Sequence, residues 1–536
     1  MSRVVIVGSG ASGVHFALTL LRKGYRVLML DVGRSRPAAI NPNDNFVELK
    51  KNRPDPAGDL LGKNYEALIL PDYGAEYYGL PPNKDYILRG LKNFSYNANG
   101  FAPLVSFAEG GLAEAWTGGS YPFRDEELVD FPFGYGELGP YYSEVARRIG
   151  ITGVDDDLAR FLPVHEGLLP PLDLDDHSAV LLATYQQKKQ ELNQKLRCYV
   201  GRSRTAVLSR DLGGRKACDY SGRCLWGCPS DSLYTPSVTL RECLQDPNFE
   251  YRKDLYVTHF QFSSEGQVRK VAAVSTKDGQ PVEFETDRLV LAAGALASAG
   301  IFLRSIYKDS GQVVTLRGLM DNRQILMPFV NLKMMGKRYN PATYQYHQLS
   351  IGMEGATPDQ YIHGLVTTLK TALIHPVVQT LPFDLRTSLA FFRNMHAALG
   401  LVNINFRDTR REDSFVTLDP AASGEMPKLV IQYRPSSDEP GRLRATSARF
   451  RKALWKLGCI APPPMTHLRP MGASVHYAGM IPMRAQSESL ACTKHCASYE
   501  FPNLYFGDGI SFPSLPAKNL TFTLMANAVR IATEAF

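Results

Sequence analysis

The stretch RVVIVGSGASG, residues 3–13, joins a β-branched run to glycines spaced G-x-G-x-x-G. An apolar-periodic segment from Val14 to Leu21 follows, and a second apolar run from Tyr25 to Leu30 ends at Asp31. This order predicts a strand, a tight turn, a helix and a second strand. It is the βαβ arrangement typical of dinucleotide binding.

Each glycine of this turn has its own physical role. Gly8 permits the tight turn, Gly10 lets the backbone approach a pyrophosphate, and Gly13 lets the helix pack closely on the strand. Asp31 stands close to where an acid binds an adenosine ribose without a 2′-phosphate. The alternative, a glycine-rich turn that binds nothing, does not account for the flanking strands, the helix and the acid. The residues predicted to bind the nucleotide here are Gly8, Gly10, Ala11, Ser12, Gly13 and Asp31.

The whole chain has the composition of a folded globular protein. Its 536 residues predict two cores or one composite domain. The net charge of +7 is spread without a basic block, so no nucleic-acid footprint is predicted. Because no run of about 18 apolar residues occurs, no membrane-spanning helix is predicted. The motif starts at the N-terminus, so we expect no cleaved signal peptide and a cytoplasmic location, or the periplasmic face if a partner carries the folded protein there.

Three further segments resemble the glucose-methanol-choline (GMC) oxidoreductases. Residues 109–119, EGGLAEAWTGG, are similar to the family's flavin-contacting segment, and residues 289–298, LVLAAGALAS, to its second nucleotide-side strand and turn. Residues 503–526 are similar to the closing signature, with NLYFGDG first and NLTFTLMA last. The resemblance implies FAD as cofactor. The further FAD-binding residues that it implies are Gly110, Gly111, Trp116, Thr117, Gly118, Gly119, Ala293, Gly294, Asp508, Gly509, Asn519, Leu520 and Thr521.

The resemblance also implies a fold class, an α/β protein with a discontinuous Rossmann-like FAD-binding domain. An α+β substrate-binding domain, a sheet backed by helices, is inserted into it as a lid. We expect the FAD-binding domain at 1–314 and 465–536, with an excursion at 35–100 and a cysteine-rich loop at 218–229. The substrate-binding domain is expected at 315–464.

Apolar patterns predict elements within the inserted domain. Leu326–Met335 and Leu429–Tyr433 read as strands, and Leu443–Leu457 as an amphipathic helix. Leu365–Val378 and Leu389–Val402 are apolar and predict a helical hairpin. An interior helix pair is the favoured interpretation, and a surface that docks a partner subunit or a membrane is the alternative.

A catalytic pair follows from the same resemblance. Residues 472–479, GASVHYAG, align with the family segment that holds its active-site histidine, which implies His476 as the base. Asn519 falls where the family has a second histidine or asparagine, and an amide can orient a substrate oxygen without taking its proton. His467 is the second candidate for the base, and a buried structural histidine is the alternative for His476. The chain departs from the family at residues 479–484, GMIPMR, where Gly-Thr-x-Arg-Met-Gly is usual, which puts the flavin environment in doubt.

Three cysteines crowd together in the spacing C-x5-C-x3-C-P. Three close cysteines suit a three-iron cluster, or a four-iron cluster with a remote fourth ligand. The spacing of Cys218, Cys224 and Cys228 resembles the cluster site of the bacterial FAD-dependent sugar dehydrogenases, which implies an iron–sulfur cluster, with the three-iron type expected. The alternatives are zinc with a further ligand, buried thiols without metal, or one disulfide with a free thiol. Cys492 and Cys496 offer a fourth ligand, but we do not assign one.

These observations predict an FAD-dependent oxidoreductase that oxidises a CH–OH group of a sugar or polyol. His476 takes the hydroxyl proton and the carbon gives a hydride to flavin. Electrons then leave through the cluster to a cytochrome, with a small escort subunit as a further partner, or directly to oxygen or a quinone. The alternatives are an oxidase or tailoring enzyme of a natural-product hydroxyl without a cluster, and a redox-sensing or electron-carrying flavoprotein.

Overall fold

The structure, a computed structural model, describes residues 3–62, 81–368, 382–420 and 426–536. Its strands, in chain order, are β1 Arg3–Val7, β2 Arg26–Leu30, β3 Tyr96–Asn99, β4 Ile151–Thr152, β5 Leu168–Leu169, β6 Cys198–Arg202, β7 Phe249–Arg252, β8 Leu255–Phe262, β9 Val268–Ser275, β10 Pro281–Glu285, β11 Arg288–Leu291, β12 Leu316–Arg317, β13 Gln324–Asn331, β14 Leu349–Met353, β15 Ile362–Thr368, β16 Leu399–Asn405, β17 Asp408–Thr409, β18 Phe415–Asp419, β19 Lys428–Gln432, β20 Cys459–Ile460, β21 His467–Leu468, β22 Leu504–Phe506 and β23 Ser514–Leu515. Its α-helices are α1 Ala11–Arg22, α2 Phe46–Asn52, α3 Pro56–Leu61, α4 Asp85–Leu88, α5 Tyr135–Ile149, α6 Asp176–Leu196, α7 Pro236–Cys243, α8 Ala295–Ser310, α9 Leu385–Met395, α10 Glu439–Lys456 and α11 Thr521–Glu534. Among the described residues, no helix is both long and apolar enough to cross a membrane.

A parallel sheet in the order β22-β11-β1-β2-β7 forms the nucleotide-binding half. Its central strand β1 pairs with β11 and β2, so Val7 lies beside Leu291 and Leu30. After an arginine at their start, β1, β2 and β11 are continuously apolar, as expected for strands that helices such as α1 cover. The predicted strand, turn, helix and second strand are confirmed, and the carboxyl ends of the strands meet at one edge, where ligands bind in such sheets.

Two smaller sheets surround this half of the molecule. Strands β10, β9 and β8 form an antiparallel sheet, and β12, β18, β19 and β3 form a mixed sheet in which β19 and β3 are parallel. Leu316, Val416 and Ile431 from the second sheet are buried in the same hydrophobic core as β1. The predicted strand Leu429–Tyr433 is confirmed as β19, and it belongs to this sheet.

A larger sheet forms the second half of the molecule, and its strands lie side by side in the order β20-β13-β16-β15-β14-β6. One face is apolar and packs on α6 and α10, with Met327, Val402 and Phe450 in its core. Helix α10 confirms the predicted helix Leu443–Leu457. It begins four residues before Leu443, at Glu439, and ends at Lys456. This is the predicted sheet backed by helices.

The predicted helical hairpin is wrong for the residues that the structure describes. Leu365 to Thr368 belong to strand β15, and residues 369–378 lie outside the described part of the chain. Helix α9 is present, but Leu399 to Val402 already belong to β16, which pairs antiparallel with β15. A short apolar run fits a buried strand as well as a helix, and the sheet pairing decided between them.

Segments on one side of the predicted boundary at 315 pack in the half of the molecule that was expected for the other side. The second predicted boundary is at 464. Strand β6 and helix α6 precede residue 315, yet Leu181 and Val200 are buried in the core of the larger sheet. Strands β18 and β19 follow residue 315, yet they pack on the nucleotide-binding core. The described parts of the excursion 35–100 contact the cysteine-rich loop, where Phe46 N donates to Ser221 O at 2.8 Å. The division of the chain stays a prediction.

Candidate active site

A cleft with an empty volume of about 1250 Å³ opens at the carboxyl ends of the parallel strands. Asp31 and His476 both line this cleft, so it extends from the position predicted for a ribose to the predicted base. Helices α1, α8 and α11 begin in the cleft wall, and none has a side-chain cap. Their first N–H groups therefore offer partners for an anion or a polar group of a ligand.

The turn that contains Gly8, Gly10 and Gly13 packs tightly against the protein on one side and is open to the cleft on the other. A Cβ on Gly8, which has φ +101°, would meet Ala292 O at 2.5 Å, and one on Gly13 would meet Gly8 O at 2.1 Å. A Cβ on Gly10 would meet no atom within 4 Å, because this residue faces the cleft. The roles predicted for the three glycines agree with these surroundings: two permit protein packing and one leaves room for a ligand.

Asp31 lies at the end of β2 in the same cleft wall. Its Oδ2 accepts hydrogen bonds from Ser9 N at 3.2 Å and Tyr251 Oη at 3.3 Å, and from Ser9 Oγ. Burial raises the pKa of Asp31 to about 6, although the hydrogen bonds from Ser9 oppose the shift. The carboxylate is thus held where the sequence predicts a ribose contact.

A second carboxylate, Asp508 of the segment 503–526, binds the turn of the segment 289–298. Its Oδ2 accepts from Gly294 N at 3.0 Å and Ser298 Oγ at 2.6 Å, and its Oδ1 accepts from Ile510 N at 3.0 Å. Burial raises the pKa of Asp508 to about 6. Asp508 therefore fixes the start of α8 in the cleft wall. The predicted residues Ala293, Gly294, Asp508, Gly509, Leu520 and Thr521 all line the cleft.

The segment 110–119 divides between the cleft and its surroundings. Gly110 and Gly111 line the cleft, both with positive φ. Trp116 instead donates from Nε1 to Tyr234 O at 2.6 Å and lines a second pocket. Thr117 O and Gly118 O accept hydrogen bonds from Tyr344 and Ala206, and Gly119 packs beside Asn519. The last four predicted residues of this segment, Trp116, Thr117, Gly118 and Gly119, do not line the cleft.

His476 is 7% exposed and lines the cleft with its neighbour Tyr477. Its Nδ1 lies 2.8 Å from Asn322 Oδ1. Asn322 Nδ2 donates to Phe406 O at 2.8 Å and Pro516 O at 2.9 Å, which fixes the amide orientation. Because the amide oxygen only accepts, His476 Nδ1 must carry the hydrogen and Nε2 must present a lone pair.

Asn519 faces that lone pair. Its Nδ2 lies 3.4 Å from His476 Nε2, a long hydrogen bond, and its Oδ1 has no hydrogen-bond partner among the described residues. The preceding residue, Lys518, is fully buried and donates to Pro122 O at 2.9 Å, to Phe161 O at 2.6 Å and to Glu127. This ion pair anchors the chain beside Asn519, so the structure brings together both predicted catalytic residues.

The loop that carries His476 is held by another buried carboxylate, Asp321. Its oxygens accept from Gly472 N at 2.7 Å, from His476 N at 3.0 Å and from Ser474 Oγ. Burial raises the pKa of Asp321 to about 6. Neither Asp321 nor Asn322 carries a signal in the sequence, because an Asp-Asn pair before a strand is common in loops. Only the fold brings them to the histidine.

The electrostatics keep His476 neutral. Burial, together with the charge of Arg469, lowers its pKa to about 4. Arg469 itself donates from Nη1 to Gln324 Oε1 at 2.6 Å. The second candidate, His467, lies exposed on β21 and does not line the cleft. The arrangement therefore presents one neutral imidazole nitrogen as a proton acceptor in the cleft.

The three cysteines of the loop 218–229 lie around one small hydrophobic cluster. Cys218, Cys224 and Cys228 pack against Leu233 and Tyr344, and all three are free thiols. Within the described ranges, no group of three Cys, His, Asp or Glu is arranged to hold a metal ion. The cysteines are therefore neighbours, but their arrangement here does not form a ligand set.

Two curated proteins resemble the chain along nearly its full length. The 2-methyl-1,2-propanediol dehydrogenase of Mycolicibacterium austroafricanum is 24% identical over 566 residues, which cover 98% of this chain and 94% of that protein. The paromamine 6'-oxidase of Streptomyces fradiae is 23% identical over 544 residues, which cover 99% of this chain and 90% of that protein. No protein-family model matches the chain.

Solved structures share the complete architecture. The pyridoxine 4-oxidase from Mesorbium loti has a TM-score of 0.59 at 15% identity, over 100% of this chain and 99% of that one. An FAD-dependent oxidoreductase from Chaetomium thermophilum has a TM-score of 0.59 at 14% identity, over 99% and 98% of the two chains. The chain therefore has the predicted α/β fold, which it shares with these FAD-dependent oxidoreductases: a Rossmann-like half and an α+β half.

Proposed function

We propose that the chain is a GMC-type flavin enzyme that oxidises the CH–OH group of a small hydroxylated substrate. The observation that carries this proposal is the neutral His476, which lines the cleft and whose Nε2 lone pair faces Asn519. Hydride loss from a carbon becomes easier as its hydroxyl loses a proton, so a positioned base is the group that this chemistry needs. The alcohol-oxidising relatives support the same reaction class.

The residues of the cleft fit FAD. Gly10 leaves space against the uncapped start of α1, where a pyrophosphate binds favourably. Asp31 suits an adenosine ribose, and Gly110 and Gly111 permit close approach of a flat ring. When bound, the flavin supplies the hydride acceptor.

The chain's own residues prepare the hydroxyl. We place the substrate oxygen between His476 Nε2 and Asn519 Nδ2, which replaces their long mutual hydrogen bond of 3.4 Å. The hydroxyl then donates to Nε2 and accepts from Nδ2, and Nε2 takes the proton. Asn322 keeps the ring in the required tautomer and Asp321 keeps the loop in place. Asn322 is thus a positioning residue.

A polar row on the larger sheet supports a hydroxyl-rich substrate. Gln324 on β13, Asn405 on β16 and His363 on β15 are paired in register and lie on the face opposite the helices. All three are buried, and Arg469 joins this row to the surroundings of His476. Polyols and sugars offer the hydroxyl groups that such side chains bind.

The proposed function is tested by anaerobic mixing of the flavin-loaded protein with a panel of simple alcohols, polyols, sugars and aminoglycosides. Bleaching of the flavin absorbance by any of them supports the reaction class, and the fastest identifies the substrate class. Repeating the best case with oxygen or with an artificial electron acceptor separates an oxidase from a dehydrogenase. If no compound bleaches a fully loaded flavin, an electron-carrying or sensing flavoprotein replaces this proposal.

The proposal keeps the three cysteines as the place to look for an iron–sulfur cluster. Cys224 and Cys228 line a small pocket with Lys84 and Arg36, and these cations suit an anionic group. Glu114 and Trp116, from the segment next to the cleft, line the same pocket. No catalytic step is assigned to a cluster, since the thiols do not form a ligand set in this structure.

Iron content tests this part of the proposal. If the cluster forms, protein purified without oxygen contains about three irons with matching sulfide per chain. The variant Cys224→Ser then loses iron and keeps its flavin, whereas Cys243→Ala, at a buried thiol elsewhere, keeps both. Wild-type protein that holds flavin without iron contradicts the cluster and favours direct transfer to another acceptor.

The role of Asn322 predicts a pH effect. His476 is active only when neutral, and its pKa of about 4 keeps the wild-type kcat/KM nearly flat between about pH 5 and 8. A carboxylate in the variant Asn322→Asp stabilises the imidazolium and raises this pKa, so kcat/KM falls as pH decreases within that range. The control Asn331→Asp adds a buried carboxyl at the far end of β13. An unchanged profile in flavin-loaded Asn322→Asp would contradict the role.

A further inference from the structure

A separate pocket of about 610 Å³ lies between α10, the end of β16 and the start of β15. We call it the arginine pocket, because Arg407, Arg442 and Arg449 all line it. Arg407 follows β16, whereas Arg442 and Arg449 lie seven positions apart on α10. Seven residues make about two turns of a helix, so these two arginines share one face. Among the described residues, none lines both this pocket and the cleft.

Solvent reaches the arginine pocket. The side chains of Arg407 and Arg442 are 18% and 34% exposed, and Arg449 is partly exposed as well. Ala356 and Ala445 also line the pocket, and both are exposed. A small solute therefore has access to the guanidinium groups without any change of the fold.

Neighbouring carboxylates use only part of the hydrogen-bonding capacity of these arginines. Asp359 forms an ion pair with Arg407. Asp438 Oδ2 lies 3.9 Å from Arg442 Nε, at the outer limit of an ion pair, and this Nε has no hydrogen-bond partner among the described residues. Neither Asp359 nor Asp438 lines the pocket. Arg442 consequently has N–H donors available for another acceptor.

Arg449 is positioned by the backbone. Its Nη2 donates to Leu196 O and to Glu354 O, both at 3.0 Å. The carboxylate of Glu354 pairs instead with Arg160 at 2.6 Å and with Arg197 at 3.5 Å. Within the described part of the chain, no carboxylate forms an ion pair with Arg449. Its guanidinium group is thus fixed in place, while its charge lacks a direct counter-ion.

The positive charges of the pocket also act on one another. Burial lowers the pKa of Arg407, the charge of Asp130 opposes this shift, and the charge of Arg442 adds to it. Arg407 and Arg442 are therefore close enough to repel each other. An anion that binds both groups reduces this repulsion, because it pairs with each charge.

Part of the pocket wall is apolar. Tyr361, Ile362 and Phe406 line it and are buried. Tyr361 is held in place, since its ring packs on Phe161 with centroids 4.5 Å apart and its Oη lies 2.6 Å from His363 Nδ1. A few charged groups beside apolar side chains are typical of small-molecule sites.

We propose that the arginine pocket is a binding site for a small molecule with a phosphate or carboxylate group. A guanidinium group presents its N–H donors in a planar fork that matches the oxygens of both anions. The anion pairs with Arg442 and with a second arginine of the pocket, and the organic body of a larger ligand lies against Tyr361 and Phe406. This site is independent of the proposed alcohol oxidation, which takes place in the cleft.

Calorimetric titration tests this site. Full-length protein is loaded with FAD and freed of excess FAD, so that the cofactor already occupies the pyrophosphate position that we propose at the start of α1. Phenyl phosphate, benzoate and inorganic phosphate are titrated at constant ionic strength, with benzamide as a neutral analogue. We expect saturable binding of the anions, one per chain, and no binding of benzamide. Tighter binding of phenyl phosphate than of inorganic phosphate assigns an organic anion, and equal binding assigns the free ion.

Variants of α10 locate the bound anion. Arg442→Gln is expected to weaken binding at least about tenfold, because it removes a charge-assisted hydrogen bond. The matched control Arg444→Gln removes the same charge from an exposed position that does not line the pocket, and it should leave the affinity unchanged. Ala445→Glu adds a negative charge at the pocket without removing an arginine, and it should abolish binding.

The absence of saturable binding of all three anions up to about 10 mM overturns the proposal. Binding that neither Arg442→Gln nor Ala445→Glu weakens overturns it too, and so does benzamide binding as tight as that of benzoate. An equal loss in Arg444→Gln and Arg442→Gln would attribute the binding to diffuse surface charge. Since no turnover is measured, failure of the alcohol-oxidation tests leaves this result unaffected.

Discussion

In the variant His476→Ala, an alcohol substrate is expected to reduce the bound flavin about 10²-fold more slowly, or slower still. This is the loss typical when a general base is removed. Anaerobic stopped-flow absorbance measures it, at a substrate concentration that saturates the wild type. Flavin content should not change, since the contacts of Gly10 and Asp31, which hold the cofactor in our proposal, do not involve His476.

The matched control for this variant is His467→Ala. His467 is exposed on β21 and does not line the cleft, so its loss should leave the rate of flavin reduction unchanged. Retained activity in His476→Ala with normal flavin content would remove the histidine from the mechanism. A decrease in His467→Ala alone would transfer the role to the second candidate from the sequence.

The variant Gly10→Val is expected to fold and to be purified without FAD. A Cβ at Gly10 meets no protein atom within 4 Å and φ is −64°, so the apoprotein accommodates a side chain. The added methyl groups occupy the space that we assign to the pyrophosphate at the start of α1. Absorbance after denaturation gives the flavin content, and circular dichroism checks the fold.

Two further glycine-to-valine substitutions serve as controls for this result. Gly136→Val changes an exposed glycine with open surroundings on α5 and should leave FAD bound. Gly13→Val places a Cβ 2.1 Å from Gly8 O and should destabilise the fold itself. Full flavin content in Gly10→Val would show that the pyrophosphate does not pass this residue.

The nucleotide-binding half was predictable because its signals are local. The strand, turn, helix and strand from Arg3 to Leu30 follow from periodicity and from Gly8 and Gly13, whose packing leaves no room for a side chain. The surroundings of His476 were not predictable in the same way. Asn322 and Asp321 lie 154 and 155 positions before His476 in the sequence. A polar pair in a loop has no sequence pattern that would link it to the histidine.

The failed hairpin and the cysteine loop show two further limits. Leu399 to Val402 are apolar in any conformation, and only their pairing with β15 makes them a strand. Cysteine spacing brings Cys218, Cys224 and Cys228 to one neighbourhood. The path of the loop also depends on residues distant in the sequence, since Tyr346 donates to Cys224 O and Arg36 donates to Cys228 O. Spacing therefore predicted proximity and could not predict ligation.

Because each half of the molecule contains segments from both sides of residue 315, residues 315–464 cannot be replaced as an independent unit. A graft that transplanted residues 315–464 from a relative would leave β6 behind, and β14 would lose its native neighbour. The same graft would import foreign strands in place of β18 and β19, which pack on the nucleotide-binding core. The polar row of the larger sheet binds the substrate only in our proposal, so single replacements there, rather than exchange of the whole segment, are the way to test its effect on substrate preference.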